Sequence, residues 1–171
     1  MQEKYFPQFF TATIHEWIHL LNEDMLKDII INSIRFLVKE KRVTIYCFVI
    51  MNNHLHIIWR IRNPYKLSDV QRDFLKFTAQ KIKFYLIDNK KTEMLDKLEV
   101  NHVDRKFRIW QPDSLSVDLW TKEVFLQKLD YIHNNPVKAG LCSLPEAYKY
   151  SSARFYELNT NEWDFLTHYE E

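Results

Sequence analysis

The chain has 171 residues, 46% of them hydrophobic, and carries 24 lysines and arginines against 23 aspartates and glutamates, a formal net charge of +1. Its length fits about one domain, and its near-neutral charge excludes a global cationic field, so any nucleic-acid surface has to be a local patch. The single glycine, Gly140, excludes the glycine-rich phosphate loops of ATP and NAD chemistry, so no nucleotide cofactor is expected.

Met1-Gln2-Glu3-Lys4 leads into no signal-peptide apolar core. Phe9 to Ile14, rich in aromatic and β-branched residues, predicts a first strand. His15-Glu16-Trp17-Ile18-His19 follows at once and matches the zinc-peptidase pattern H-E-x-x-H. That pattern needs a helix, and here it lies between a strand and the Asn22/Asp24 start of the next element. Asp24 to about Lys39 predicts a helix, with Leu26, Ile30, Ile34 and Leu37 at helical spacing and an acid in the first turn. Val43 to Ile50 is nearly all apolar and predicts a central strand buried on both faces, in which Cys47 is a packing residue. Asn52-Asn53 supplies turn chemistry before a third strand, His54 to Arg60.

Leu67 to about Lys90 predicts a long helix opened by Ser68 or Asp69. Asn89 to Asp104 is the most loop-like stretch and is highly charged. Phe107 to Gln111 and Val117 to Trp120 predict short strands. Thr121 to Asn134 predicts a helix capped by Thr121 and ended by Pro136, which disfavours helical geometry at Asn135. The remainder is polar and aromatic and is expected to wrap the domain. The order β-α-β-β-α-β followed by a helix predicts an α+β, ferredoxin-like split βαβ fold with a central antiparallel sheet, one domain over 1–171 with a core of about 5–156. Cys47 and Cys142 make no disulfide framework, and the longest apolar run, about seven residues, is too short for a bilayer. A soluble protein of a reducing cytoplasm, with no membrane partner, is the expectation.

Two places carry chemistry. In Met51-Asn52-Asn53-His54-Leu55-His56 the two histidines are i and i+2, so a strand presents both imidazoles on one face, where they can share a divalent metal. In Tyr131-Ile132-His133-Asn134-Asn135-Pro136 the tyrosine and Asn135 are i and i+4, one helical turn apart, while Phe125, Leu129 and Ile132 form a different, core-facing stripe. Asn135 can bring a carbonyl oxygen to the same metal and hold Tyr131 beside it.

With these two motifs and Pro145-Glu146-Ala147-Tyr148-Lys149-Tyr150-Ser151-Ser152, over about residues 5–156, the chain resembles the REP-associated tyrosine transposases. These are a branch of the single-tyrosine transposases in the HUH nuclease superfamily. The resemblance implies that the helix bearing Tyr131 is an added C-terminal catalytic helix. Tyr131 would attack a DNA phosphate to give a 5′-phosphotyrosine link and a free 3′-hydroxyl. His54, His56 and Asn135 would hold Mg²⁺ or Mn²⁺, although imidazole chemistry alone favours zinc. Other branches of the superfamily carry glutamine where Asn135 stands. The implied substrate is single-stranded or hairpin DNA in a bacterial cytoplasm, handled by a monomer or a homodimer. The competing reading is a chain that has lost its chemistry and only binds DNA or RNA hairpins; the intact His54, His56 and Tyr131 argue against it.

Two basic groups are candidates for nucleic-acid contact. Arg72, Lys76, Lys83 and Lys90 are spaced by four, seven and seven, which places them within about 40° on a helix. Such a stripe can track phosphates, or be an ordinary solvated face. Arg105, Lys106 and Arg108 cluster beside Trp110, a combination suited to single strands whose bases stack on rings.

Overall fold

A computed structural model describes residues 5–171; Met1 to Lys4 lie outside the described residues. Four strands form one antiparallel sheet: β1 (Gln8–Thr13), β2 (Val43–Ile50), β3 (His54–Ile61) and β6 (Leu115–Asp118), in the order β2-β3-β1-β6. That order is the ferredoxin-like one expected from the sequence. Period-two alternation sorts the strand side chains onto two faces. Phe10, Ala12, Phe48, Leu55, Ile57 and Trp59 join the apolar faces of α1 (Asp24–Lys39) and α2 (Leu67–Asp88). Phe9, Cys47, Val49 and Ile58 join Phe125, Leu129 and Ile132 of α4 (Lys122–Lys138) on the other face. The amphipathic stripes explain the packing: α1 buries Leu26, Ile30, Ile34 and Leu37, and α2 buries Val70, Phe74, Thr78, Ile82 and Leu86.

Several expectations need correcting. β2 is not central but lies at the edge of the sheet. It is almost wholly apolar because α helices cover both faces and the C-terminal segment covers its open side. Ile50 N–H donates to Tyr150 O, Ser152 N–H to Phe48 O and Thr167 N–H to Ile45 O. The charged stretch after α2 is not a loop. It folds as α3 (Thr92–Leu98) and β4 (Glu99–His102), and β4 makes a hairpin with β5 (Arg105–Phe107). The strand expected over 107–111 is therefore displaced toward its N-terminus, and Trp110 instead bridges Ile14. Neither Ser68 nor Asp69 caps α2; Lys66 occupies that position without a side-chain hydrogen bond.

Pro136 does not end α4. Thr121 caps the helix as expected, its Oγ1 accepting from Val124 N–H at 3.2 Å, but the helix runs on to Lys138 with Pro136 inside it. Proline costs a helix interior about 3 kcal/mol, mostly through one lost hydrogen bond and a clash one turn back. Here the loss falls in the last turn, where Pro136 is buried along with Ile132 and His133. The helix stops at Gly140, whose φ of 74° is left-handed. Gly140 N–H donates to Val137 O and Leu141 N–H to Pro136 O, the paired bonds of a Schellman cap, so the one glycine of the chain sits where its conformational freedom is needed.

The end of α4 is fixed by a buried polar cluster. His133 Nε2 lies 2.8 Å from Ser152 Oγ and 3.4 Å from Cys47 Sγ, and Ser152 Oγ accepts from Phe48 N–H at 2.9 Å. This ties α4, β2 and the segment before α5 (Ala153–Glu157) together. Burial pushes the His133 imidazole down to about 4, so the ring is neutral, and pushes the Cys47 thiol well above its ordinary range.

Candidate active site

The site forms where β1 and β3 face α4. Thr11 pairs with His56 across the β1–β3 ladder, and Thr13 pairs with His54. Phe9, Thr11, His54 and His56 thus share the α4 face by alternation, as the His-x-His spacing predicts. The two imidazole centroids are 4.8 Å apart, and the His56 ring stacks on Phe9 at 5.2 Å.

Each histidine is held by one nitrogen. His56 Nδ1 is 2.7 Å from Thr11 Oγ1, and His54 Nδ1 is 2.7 Å from Asn53 Oδ1. With Nδ1–H donating to these oxygens, the Nε2 lone pair of each ring is turned to the site, the arrangement that orients histidine ligands in metal centres. Burial lowers the pKa of His54, opposed by a side-chain hydrogen bond to Asn135. His56 falls to about 3, first by burial and then because a second proton beside His54 and the Lys128 ammonium would be repelled. Both therefore present neutral rings, the form that binds a cation.

α4 supplies the other half. Its core stripe points Phe125, Leu129 and Ile132 into the sheet, which leaves Tyr131 40% exposed at the helix flank. The Tyr131 ring lies 5.4 Å from the His56 ring and 6.0 Å from Phe9, centroid to centroid. Asn135, one turn on, is close enough to His54 for its side chain to oppose the burial shift of that ring. The four residues singled out in the two motifs, His54, His56, Tyr131 and Asn135, thus meet in one place.

The residues present fit a divalent cation. His56 Nε2 is buried with no hydrogen-bond partner, a state that costs an uncompensated polar atom about 1–3 kcal/mol. A cation at that lone pair relieves the cost. The donors the site could offer are two imidazole nitrogens and one carboxamide oxygen. No cluster of three or more His, Cys, Asp or Glu side chains able to hold a metal exists among the described residues, so a cation here would need a donor of another kind beside the two imidazoles, and the Asn135 carboxamide offers one.

The rival H-E-x-x-H motif does not assemble. His15 to Trp17 is a single 3₁₀ turn in which Glu16 and Trp17 have φ of 52° and 54°, so no α-helix passes through it. His15 is buried and His19 exposed, on no common face.

The basic stripe of α2 lies away from this cluster. α2 packs on the sheet face opposite α4. On it, Arg72 is engaged by Asp69 and Asp73, each at 3.0 Å, and Lys76 is exposed. Lys83 lies over the Phe84 ring at 5.2 Å. Lys90 falls beyond the helix end, with φ of 55°, and leaves the stripe. Arg105 and Lys106 are exposed on the β4–β5 hairpin, while Arg108 is half-buried after it. Trp59 and Trp110 are core and Trp163 packs against the core, but Trp17 and Trp120 are exposed. Sequence reasoning missed Thr11 and Asn53. Asn53 adjoins His54 and was readable; Thr11 emerges only from the strand register.

No family model and no curated protein sequence matches the chain. Among solved structures, one of a REP-associated tyrosine transposase bound to a REP hairpin superposes with a TM-score of 0.66 at 20% identity, over 90% of this chain and 80% of that one. The fold is that of a REP-associated tyrosine transposase. A Deinococcus radiodurans R1 protein provisionally described as a transposase aligns at 12% identity with a TM-score of 0.48, over 78% of this chain and 94% of that one.

Proposed function

We propose that the chain is a metal-dependent tyrosine transposase that nicks and rejoins single-stranded, hairpin-bearing DNA. The observation that carries this reading is the placement of the Tyr131 ring 5.4 Å from His56, whose Nε2 is buried without a partner, with Asn135 one turn away on the same helix. The shared fold and the REP hairpin held by the structural neighbour support DNA hairpins as the substrate class.

Tyr131 Oη would attack the phosphorus of a phosphodiester. A P–O bond to tyrosine forms and the P–O3′ bond breaks, leaving a 5′-phosphotyrosine and a 3′-hydroxyl that takes up the proton released from the phenol. The number of phosphodiester-type bonds is unchanged, so attack by a 3′-hydroxyl reverses the step without ATP, consistent with a chain that has one glycine and no phosphate loop. Phenols are weak nucleophiles at neutral pH. A divalent Mg²⁺ or Mn²⁺ held by His54, His56 and Asn135 would polarise the phosphate and stabilise its developing charge. Thr11 and Asn53 orient the two imidazoles, and Phe9 walls the site on the sheet side. No helix among the described residues is long and apolar enough to cross a membrane.

The test is a denaturing gel with labelled hairpin DNA and Mn²⁺. The wild type is expected to give a covalent protein–DNA adduct, and Tyr131→Phe to give none while binding DNA and metal normally. Tyr148 and Tyr150, whose hydroxyls donate to Ile50 O and Asp28, are controls. An adduct surviving in Tyr131→Phe moves the nucleophile elsewhere; a wild type that binds hairpins and forms no adduct replaces this reading with a binding-only protein.

A further inference from the structure

Two lysines converge on Tyr131. Lys128, Tyr131, Asn135 and Lys138 follow the spacing i, i+3, i+7 and i+10, which confines them to about 80° of the α4 surface at about 100° per residue. Lys128 Nζ lies 4.8 Å from the Phe9 ring and 5.5 Å from the Tyr131 ring, and Lys138 Nζ lies 5.7 Å from the same Tyr131 ring. The lysine and arginine ion pairs of the described residues engage Arg35, Arg72, Lys91, Lys97, Lys149 and Arg154, and neither of these two. An exposed cation–π contact is worth about 0.5–1 kcal/mol. Two ammonium groups brought to one ring also repel each other. Folding therefore gains little from the pair, whereas an anion arriving at Tyr131 would be attracted by both.

We propose that Lys128 and Lys138 are catalytic residues that bind the non-bridging oxygens of the phosphate attacked by Tyr131. The assignment rests on the nuclease reading and goes beyond it by naming the groups that receive the substrate charge. In phosphoryl transfer that charge is spread over the equatorial oxygens. Fixed cations aimed there stabilise the transition state without reorganising. The division of labour follows the fold: the sheet offers the metal ligands His54 and His56, and α4 offers the nucleophile together with both cations. The bland reading is that each lysine merely covers a ring with its aliphatic stem.

The test uses the full chain and a hairpin oligonucleotide whose cleavage position has been mapped with the wild type in Mn²⁺. Lys128→Met and Lys138→Met keep the stems and remove the charges. Each is expected to slow single-turnover adduct formation about 100-fold, with substantial recovery in the arginine variants. Binding is then measured in the Tyr131→Phe background, which does not cut. Replacing the scissile phosphate by an uncharged methylphosphonate should weaken binding about tenfold, as loss of a charge-assisted contact does. That penalty should shrink severalfold once both lysines are methionine, leaving the share owed to the metal. Should Lys128→Met fail to fold, exposed Lys138→Met alone is expected to remove part of the penalty. An unchanged penalty in the lysine variants overturns the assignment and leaves the nuclease reading standing. A wild type that forms no adduct overturns the nuclease reading and the clamp with it.

Discussion

Thr11 Oγ1 and His56 Nδ1 are 2.7 Å apart on paired strands, and this contact sets which nitrogen of the imidazole faces Tyr131. Thr11→Val keeps the shape and removes the hydroxyl. Mn²⁺ affinity is expected to fall roughly 10–100-fold, the usual effect of losing the partner that orients a metal-binding histidine. Titration calorimetry reads this directly, and an affinity equal to wild type would mean that His56 is oriented by packing on Phe9 alone.

His54→Ala and His56→Ala are expected to abolish cleavage and weaken Mn²⁺ binding with the fold retained, because both rings sit at the sheet–α4 junction and not in the main core. His15→Ala discriminates against the peptidase motif and should leave cleavage close to wild type. Normal cutting by the double His54/His56 variant would remove the metal from the mechanism.

Arg72 is already neutralised by Asp69 and Asp73, whereas Lys76 is exposed and makes no ion pair among the described residues. If the α2 face meets phosphates, Lys76→Gln and Lys83→Gln should each flatten the log–log salt dependence of hairpin binding by roughly one unit, and Arg72→Gln should change it least. An unchanged slope in the Lys76/Lys83 double variant assigns that face to solvation.

His133 makes stability depend on pH. Its folded-state pKa is lowered to about 4 from the ordinary histidine value of 6.5, so the unfolded chain binds a proton that the native state refuses throughout that window. Stability from this group is complete above 6.5 and is lost as pH falls toward 4, by about 3 kcal/mol in all. His56, lowered to about 3, adds a loss of the same sign that extends further into acid. Urea titrations between pH 4 and 7 should show a shallower decline in His133→Gln, which retains a polar partner for Ser152. A slope identical to wild type would show that His133 takes up its proton equally in the folded and unfolded chain.

Local patterns made much of this legible. Period two put His54 and His56 on one face, period four put Tyr131 beside Asn135, and the apolar spacing of α1 and the run of β2 gave their bounds to the residue. What was not legible depends on distant partners. Pro136 reads as a helix stop, but burial against the sheet and the Gly140 cap keep the last turn helical. β2 reads as central because apolar content reports coverage and not position, and the covering segment lies about a hundred residues downstream. The β4–β5 hairpin reads as a charged loop because its strands are short and exposed. Thr11 is invisible until a register joins it to a histidine 45 residues away.

The two margins of the sheet are unlike. Along β2, backbone groups facing outward are consumed by Tyr150, Ser152 and Thr167. Along β6 no further strand pairs among the described residues, and Leu115 and Val117 are 53% and 41% exposed. Among the described residues β6 is therefore the margin at which an incoming strand could extend the sheet. Leu115 lies opposite Thr11, and Thr11 lies opposite His56. A strand added at that margin would be joined through a single row of paired residues to His56, one of the proposed metal ligands.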